Sequence, residues 1–141
     1  LIYVPRWSSH ANGARSYSQV TVLAHAADQQ RVRSRLAGIY GREALFDLAD
    51  GFGATTGNGS YVVTDLEGVE RRYGAVPAEL KGERQPCCVA IHVRVPDIER
   101  MPPILSASSI RHRVVDGEVR LADAAEFGNV FVNFTATGKV V

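Results

Sequence analysis

Residues 88–98 read CVAIHVRVPDI, a run in which apolar residues alternate up to a Pro-Asp pair. Such alternation is typical of a half-buried β-strand. Asp97 then stands where its carboxylate can accept a hydrogen bond from a free backbone N–H at the start of a helix. Residues 20–28, VTVLAHAAD, repeat this order and end on Asp28. Together the two stretches predict two copies of a strand followed by a helix.

The first copy continues through a helix into three strands. Val32, Leu36 and Ile39 recur at the spacing of a helix with one packed side. The helix is predicted to end at Gly41, since glycine is a common helix stop. Gly57-Asn58-Gly59 predicts a hairpin turn, because Gly and Asn tolerate a positive φ. The strands are predicted at residues 44–48, 52–56 and 60–64.

The second copy has the same order of elements. Its helix is predicted to follow Asp97 and to continue to about Leu105. Pro102-Pro103 favours a late start near Arg100, because proline is tolerated only in the first turn of a helix. Asp116-Gly117 predicts another hairpin turn. The strands are predicted at residues 110–115, 118–121 and 130–135.

The repeated order predicts one module, residues 18–141, built from two βαβββ halves. The parts are an N-terminal arm or linker at residues 1–17, halves at about 18–64 and 88–136, and between them a short helix at 66–73 and an exposed loop at 77–86. Because the hairpin falls at the same place in each half, the two halves are expected to fold alike.

The composition excludes several classes of function. The chain has 141 residues, 45% of them hydrophobic, and a net charge of +1. It therefore fits one globular domain and has no strong field that would attract nucleic acid or a membrane surface. No apolar run reaches the roughly 20 residues that span a bilayer. The adjacent Cys87 and Cys88 have poor geometry for a disulfide, so a reducing, cytoplasmic compartment is expected.

Short motifs and the order of elements carry a resemblance to a known family. Residues 22–28 and 93–98, where a strand ends before an Asp, resemble the half-module of the vicinal oxygen chelate (glyoxalase/bleomycin resistance/dioxygenase) superfamily. Residues 110–134 are similar to its glyoxalase-like ending, a hairpin followed by an alanine-rich turn, a glycine and a last apolar strand. Residues 1–14 resemble the linker after the first module of two-module members, so a further module is expected before Leu1.

The resemblance implies an α+β fold in which two βαβββ half-repeats form a mixed, U-shaped, eight-stranded cup (half-barrel) with helices on the outside. In that family the cup holds a divalent metal that acts as a Lewis acid on substrate oxygens. The usual His positions fall on Thr21 and Ala90, and the last-strand carboxylate falls on Val132, or on Asn133 if the strand shifts by one residue. No metal and no cofactor are therefore expected in this module, and any divalent metal would belong to a partner module.

Three residues are candidates for ligand binding on the cup face: His25, His92 and Arg94. Strand alternation places His25 on the face of Thr21, and places His92 and Arg94 on the face of Ala90. Two imidazoles and a planar guanidinium on one concave surface could bind a carboxylate or phosphate. Displaced metal ligands, acid/base groups and strand histidines without a role are the other interpretations. No catalytic residue is assigned.

Three functions are consistent with these observations. The first is a glyoxalase-like module that lacks a complete metal site and pairs with a second module or as a homodimer. The second is a resistance-type protein that binds a small organic molecule without reaction. The third is a metal-dependent lyase, isomerase or dioxygenase whose ligands are displaced in register. Whether the chain is an enzyme stays open among them.

Overall fold

The computed structural model describes residues 13–81 and 86–136. The strands are β1 Ser16–Leu23, β2 Leu45–Leu48, β3 Gly51–Thr55, β4 Ser60–Thr64, β5 Cys87–Val95, β6 His112–Val115, β7 Glu118–Leu121 and β8 Phe131–Ala136. The α-helices are α1 Ala26–Tyr40, α2 Leu66–Tyr73, α3 Ala78–Lys81 and α4 Met101–Ala107, and 3-10 turns occur at Arg42–Ala44, Ile98–Arg100 and Ala125–Phe127. None of the described helices is long and apolar enough to cross a membrane.

All eight strands join one open mixed sheet in the order β2-β3-β4-β1-β5-β8-β7-β6. β1 and β5 lie antiparallel at its centre, and Thr21 stands opposite Ala90 in this pair. Each half adds its last strand in parallel to its first, since β4 runs parallel to β1 and β8 runs parallel to β5. The predicted α+β fold of two βαβββ halves is thereby confirmed.

The helices of the two halves cover one face of the sheet, which we call the outer face. α1 packs through Leu36 on a cluster that includes Phe52 and Val63. α4 packs through Met101 on a cluster that includes Phe134. Burial of these apolar side chains is the main force that holds each half together.

The connection between the halves covers the opposite face, which we call the inner face. This face carries Thr21, Ala90, His92 and Asn133. α2 and α3 pack against it through one apolar cluster, whose buried members are Leu23, Val69, Tyr73, Val76, Leu80, Val89, Ala90, Ala124 and Phe131. Helices therefore lie on the outside in each half, as expected, while the two short helices of the connection lie against the inner face.

Two predictions for the first half are wrong in detail. β1 ends at Leu23, and His25 is the exposed residue before α1, so His25 does not continue the strand that contains Thr21. Ile39 is 70% exposed, whereas Tyr40 packs against the outer-face cluster. The reason for the first error is that α1 starts at Ala26, two residues before Asp28, so the chain leaves the sheet earlier than the aspartate indicates.

The connection departs from the predicted exposed loop at residues 77–86. The helix predicted at residues 66–73 is confirmed as α2, but α3 then forms and its Leu80 is 8% exposed. Leu80 and Val76 cover apolar surface of the inner face, so burial draws this segment onto the sheet. The remainder of the predicted loop, at residues 82–85, and the arm at residues 1–12 lie outside the described residues.

The start of the second helix follows the prolines. The Asp97 carboxylate accepts a hydrogen bond from the Glu99 N–H at 3.2 Å and begins the 3-10 turn Ile98–Arg100. α4 starts only after that turn, with Pro102 and Pro103 in its first turn, where proline removes no helical hydrogen bond. The predicted late start near Arg100 is confirmed.

Candidate functional site

Polar side chains meet at the centre of the inner face, where the two halves join. Their exposed fractions are small: 4% for Gln19, 0% for Thr21, 4% for His92 and 1% for Asn133. Buried polar groups are costly unless they are hydrogen-bonded, so their contacts define the candidate site. We call it the polar centre, and it comprises Gln19, Thr21, Tyr73, His92, Glu118 and Asn133.

α2 carries Tyr73 into the polar centre. The helix begins because the Asp65 carboxylate accepts a hydrogen bond from the Gly68 N–H at 2.9 Å. Gly68 allows α2 to lie directly on β4, since a Cβ there would overlap the Thr64 hydroxyl. Tyr73, the last residue of the helix, is 5% exposed, and its ring stacks on Phe131 with 5.4 Å between centroids.

The Tyr73 hydroxyl connects the two central strands. It lies 2.6 Å from the Thr21 hydroxyl on β1 and 3.1 Å from His92 Nε2 on β5. The Gln19 amide donates to the Thr21 hydroxyl at 3.2 Å. Burial raises the pKa of Tyr73 more than the hydrogen bond with Thr21 lowers it, so the phenol is protonated at neutral pH. A neutral phenol therefore fills the position between the two halves.

His92 is positioned as a neutral imidazole with its proton on Nδ1. Its Nε2 faces two donors, the Tyr73 hydroxyl and the Asn133 amide at 3.2 Å, so Nε2 accepts and carries no proton. Nδ1 has no hydrogen-bond partner within the part of the chain that the structure describes, and it lies 4.0 Å from Glu118 Oε1. The Nδ1–H group therefore points toward a carboxylate that is just beyond hydrogen-bond range.

A buried ion pair borders His92. Glu118 Oε2 accepts hydrogen bonds from Arg120 Nε at 3.2 Å and from Arg120 Nη2 at 3.1 Å. The Glu118 side chain is 8% exposed and the Arg120 side chain 19% exposed. Charge-assisted hydrogen bonds from a guanidinium are among the strongest that a carboxylate can accept. Glu118 is therefore hydrogen-bonded to Arg120 rather than to His92.

α2 is held by both halves of the molecule. From the second half, Arg120 donates to the Arg72 carbonyl at 2.9 Å, and Arg113 donates to the Tyr73 carbonyl at 3.0 Å. Guanidinium groups suit these positions because the last carbonyls of a helix carry partial negative charge. From the first half, Asp50 accepts a hydrogen bond from Arg72 at 2.6 Å. α2 therefore spans the inner face from one half to the other.

The structure brings together only part of the predicted ligand site. His92 lies in the polar centre, and Arg94 lies two residues further along β5, opposite Thr135 of β8. His25 lies outside the strand, exposed at the start of α1. Contrary to the prediction from strand alternation, β1 therefore does not place the His25 imidazole beside that of His92. Ligand binding by His25, His92 and Arg94 stays a prediction.

The residues present do not fit the divalent metal that the sequence resemblance implies. Thr21 and Ala90 lie on the inner face, 0% exposed, whereas Val132 packs with the outer-face cluster. Asn133, one residue on, is the side chain that reaches the inner face. Hydroxyl, methyl and amide groups make a poor set for a divalent cation. Across residues 13–81 and 86–136, no three His, Cys, Asp or Glu side chains gather into a possible metal site.

The sequence patterns contained a signal for the residues that were missed. Leu66, Val69 and Tyr73 recur at helical spacing, which marks Tyr73 as a packed residue of the predicted helix. In β7, Glu118 and Arg120 alternate with apolar residues, which places both charges on the face opposite the helices. An inward-facing Glu and Arg on a strand indicate a buried ion pair.

Solved structures share this architecture. A methylmalonyl-CoA epimerase from Mycobacterium tuberculosis superposes with a TM-score of 0.59 at 11% sequence identity, over 96% of this chain and 97% of that chain. A hypothetical protein from Bacillus halodurans C-125 gives a TM-score of 0.53 at 11% identity, over 89% of this chain and 96% of that chain. The chain therefore shares the α+β fold of these two structures.

Comparison of sequences gives no further match. No protein-family model matches the chain, and no curated protein is significantly similar to it. An identity of 11% to each structure shows shared architecture alone. The chemistry of this chain must therefore be argued from its own residues.

Acid is expected to destabilise the polar centre through His92. Burial is the largest cause that lowers the pKa of His92 below 6.5, and the Glu118 carboxylate opposes this lowering. The guanidinium groups of Arg120 and Arg72 add to it. The unfolded chain therefore binds a proton on His92 more readily than the folded chain does. The contribution of neutral His92 to the free energy of unfolding is fully present above about pH 6.5 and is lost as the pH drops toward the pKa of the folded state.

The measurement is urea unfolding at pH 7.5 and pH 5.5 for the wild type and His92→Gln. Between the two pH values the free energy of unfolding of the wild type is expected to fall by up to about 1.4 kcal/mol more than that of the variant. This limit applies because pH 5.5 lies about one unit below the pKa of His92 in the unfolded chain. Equal losses in the two proteins would show that His92 is not held neutral by the fold.

Proposed function

We propose that the chain is a glyoxalase-like module that lacks a complete metal site of its own and pairs with a second module or subunit. The observation that carries this proposal is the central strand pair, in which Thr21 and Ala90 stand opposite each other. The resemblance expects histidines at these two positions. An alanine offers no ligand atom, and the Thr21 hydroxyl is already hydrogen-bonded to Tyr73 at 2.6 Å.

The polar centre supports a structural use of the inner face. The lone pair of His92 Nε2 is directed at Tyr73 and Asn133. The Glu118 carboxylate is occupied by Arg120. The two groups best suited to bind a cation are therefore engaged within the module, and cation binding would require both arrangements to break.

The two edges of the sheet support pairing. β2 and β6 are the edge strands, and each carries an exposed apolar side chain, Phe46 at 38% and Val114 at 62%. Edge strands offer unpaired backbone groups to another chain, and apolar side chains there favour association. A second module or a second copy could use either edge. The cytoplasmic location expected from Cys87 and Cys88 is part of the same proposal.

The proposal is tested by metal analysis and sedimentation of one preparation. Purified protein is expected to hold less than about one-tenth equivalent of any transition metal. Titration with Mn²⁺ or Ni²⁺ after chelator treatment is expected to show no saturable binding tighter than about 1 mM. Sedimentation velocity at about 0.1 mM is expected to show self-association, because pairing must hide the exposed edges.

His92→Ala serves as the matched variant. One equivalent of metal in the wild type that is lost in His92→Ala would contradict the proposal and favour a metal-dependent enzyme with displaced ligands. A chain that stays monomeric at about 0.1 mM would contradict the pairing. The first result concerns the polar centre and the second concerns the edges, so the two parts of the proposal can fail separately.

A further inference from the structure

A cleft of about 430 Å³ lies at the start of β1 and reaches the polar centre only at Gln19. It exists because β4 pairs with β1 only from Gln19 onward, so Ser16, Tyr17 and Ser18 have no β4 strand beside them. The turn between β3 and β4 approaches instead, and a Cβ on Gly59 would overlap the Ser18 carbonyl. The cleft is therefore shaped by the register of the sheet and by one glycine.

Three tyrosines line this cleft. Tyr40 at the end of α1 and Tyr61 on β4 place their ring centroids 6.1 Å apart at an angle of 40°. Tyr17 on β1 is 59% exposed. An aromatic ring left open to solvent beside two others is a surface on which another flat ring can stack.

The charge of the cleft favours an anion. Its lining residues include the guanidinium of Arg15 and no carboxylate. Arg15 is exposed and makes no ion pair and no side-chain hydrogen bond in the described part of the chain. The hydrogen bond with Tyr40 is the largest cause that raises the pKa of Tyr61. Tyr61 therefore stays neutral at physiological pH and does not repel a negative group.

We propose that this cleft binds a flat aromatic molecule that carries a carboxylate. The Tyr17 ring stacks on the aromatic part, and the planar fork of Arg15 holds the carboxylate in a bidentate pair. Asn58, in the turn that forms one wall, adds an amide that can bond to a ring substituent. The volume suits one or two fused rings, at the lower end of the range for ligand sites. The three residues proposed to contact the ligand, Arg15, Tyr17 and Asn58, lie outside the polar centre, so this proposal can be tested separately from the function proposed for the inner face.

The probe is 1-naphthoate, titrated into the ¹⁵N-labelled full chain and followed by amide chemical shifts. Saturable shifts are expected at Tyr17, Asn58 and Tyr61, with a Kd below about 1 mM. Arg15→Gln is expected to weaken binding about tenfold through loss of the charged pair. Tyr17→Ala is expected to weaken it by a similar factor. Arg35→Gln is the matched control, because it also removes an exposed guanidinium, from α1 and outside the cleft lining. This variant is expected to bind naphthoate as the wild type does.

Several results would overturn the inference. Shifts that do not saturate at about 10 mM naphthoate would show that the cleft holds no such ligand. Shifts confined to His92 and Asn133 would place the ligand on the inner face instead. Equal binding of the neutral 1-naphthalenemethanol, or an equal loss in Arg35→Gln, would show that Arg15 does not recognise the carboxylate.

Discussion

Tyr73→Ala is expected to lower the free energy of unfolding by about 3–5 kcal/mol, as for other large aromatic-to-alanine changes in a core. The ring stacks on Phe131 and is almost fully buried, so its removal leaves a cavity where the halves join. The hydroxyl contacts of Thr21 and His92 are lost at the same time. Chemical denaturation with an unchanged m-value would measure the effect.

Tyr73→Phe separates the ring from the hydroxyl. It keeps the stack on Phe131 and removes only the oxygen, so a loss of about 1–2 kcal/mol is expected from the unsatisfied polar groups left behind. Ile39→Ala, at a 70% exposed position on α1, is the control and is expected to change stability by less than about 0.5 kcal/mol. If Tyr73→Ala changed stability no more than Ile39→Ala, α2 would not be packed on the inner face.

Arg120→Met is expected to cost about 3 kcal/mol, because it leaves the buried Glu118 carboxylate without its partner. The same guanidinium also donates to the Arg72 carbonyl, so the end of α2 loses a hydrogen bond. Methionine keeps most of the apolar stem, which limits the loss of packing. Equilibrium unfolding in urea would measure the difference.

A double-mutant cycle with Glu118→Gln isolates the ion pair. Once the carboxylate is neutral, Arg120→Met is expected to cost at least about 1 kcal/mol less than it does in the wild type. Arg111→Met is the control, since Arg111 pairs with Asp123 on the surface with its side chain 67% exposed and is expected to matter by less than about 1 kcal/mol. Additive effects of Glu118→Gln and Arg120→Met would show that the pair is not coupled.

Most of the fold could be predicted because local patterns dominate it. The apolar alternation in β1 and β5, the glycines of the turns and the two prolines in the first turn of α4 each influence only residues that are close in sequence. The helix α2 was predicted with its observed bounds. The segment of α3 was not, because its residues are drawn onto the sheet by burial of Leu80, a contact with strands far away in sequence.

Less of the candidate site could be predicted, and for a geometric reason. A shift of one residue moves a side chain to the other face of a strand, so Asn133 rather than Val132 reaches the inner face. His25 was misplaced because the end of β1 is set by the start of α1, and the helix begins directly after His25 rather than at Asp28. Tyr73 reaches His92 only through the path of α2 across the sheet, and no spacing in the sequence encodes that distance.

The position of α2 has a consequence for how the molecule comes apart. Repeats that touch only their neighbours can open one at a time, like the turns of a solenoid. Here Asp50 of the first half and Arg113 of the second half both hydrogen-bond to α2. Unfolding of either half would therefore break contacts of the helix that also holds the other half. The chain should behave as one cooperative unit, melting in a single transition despite its internal duplication.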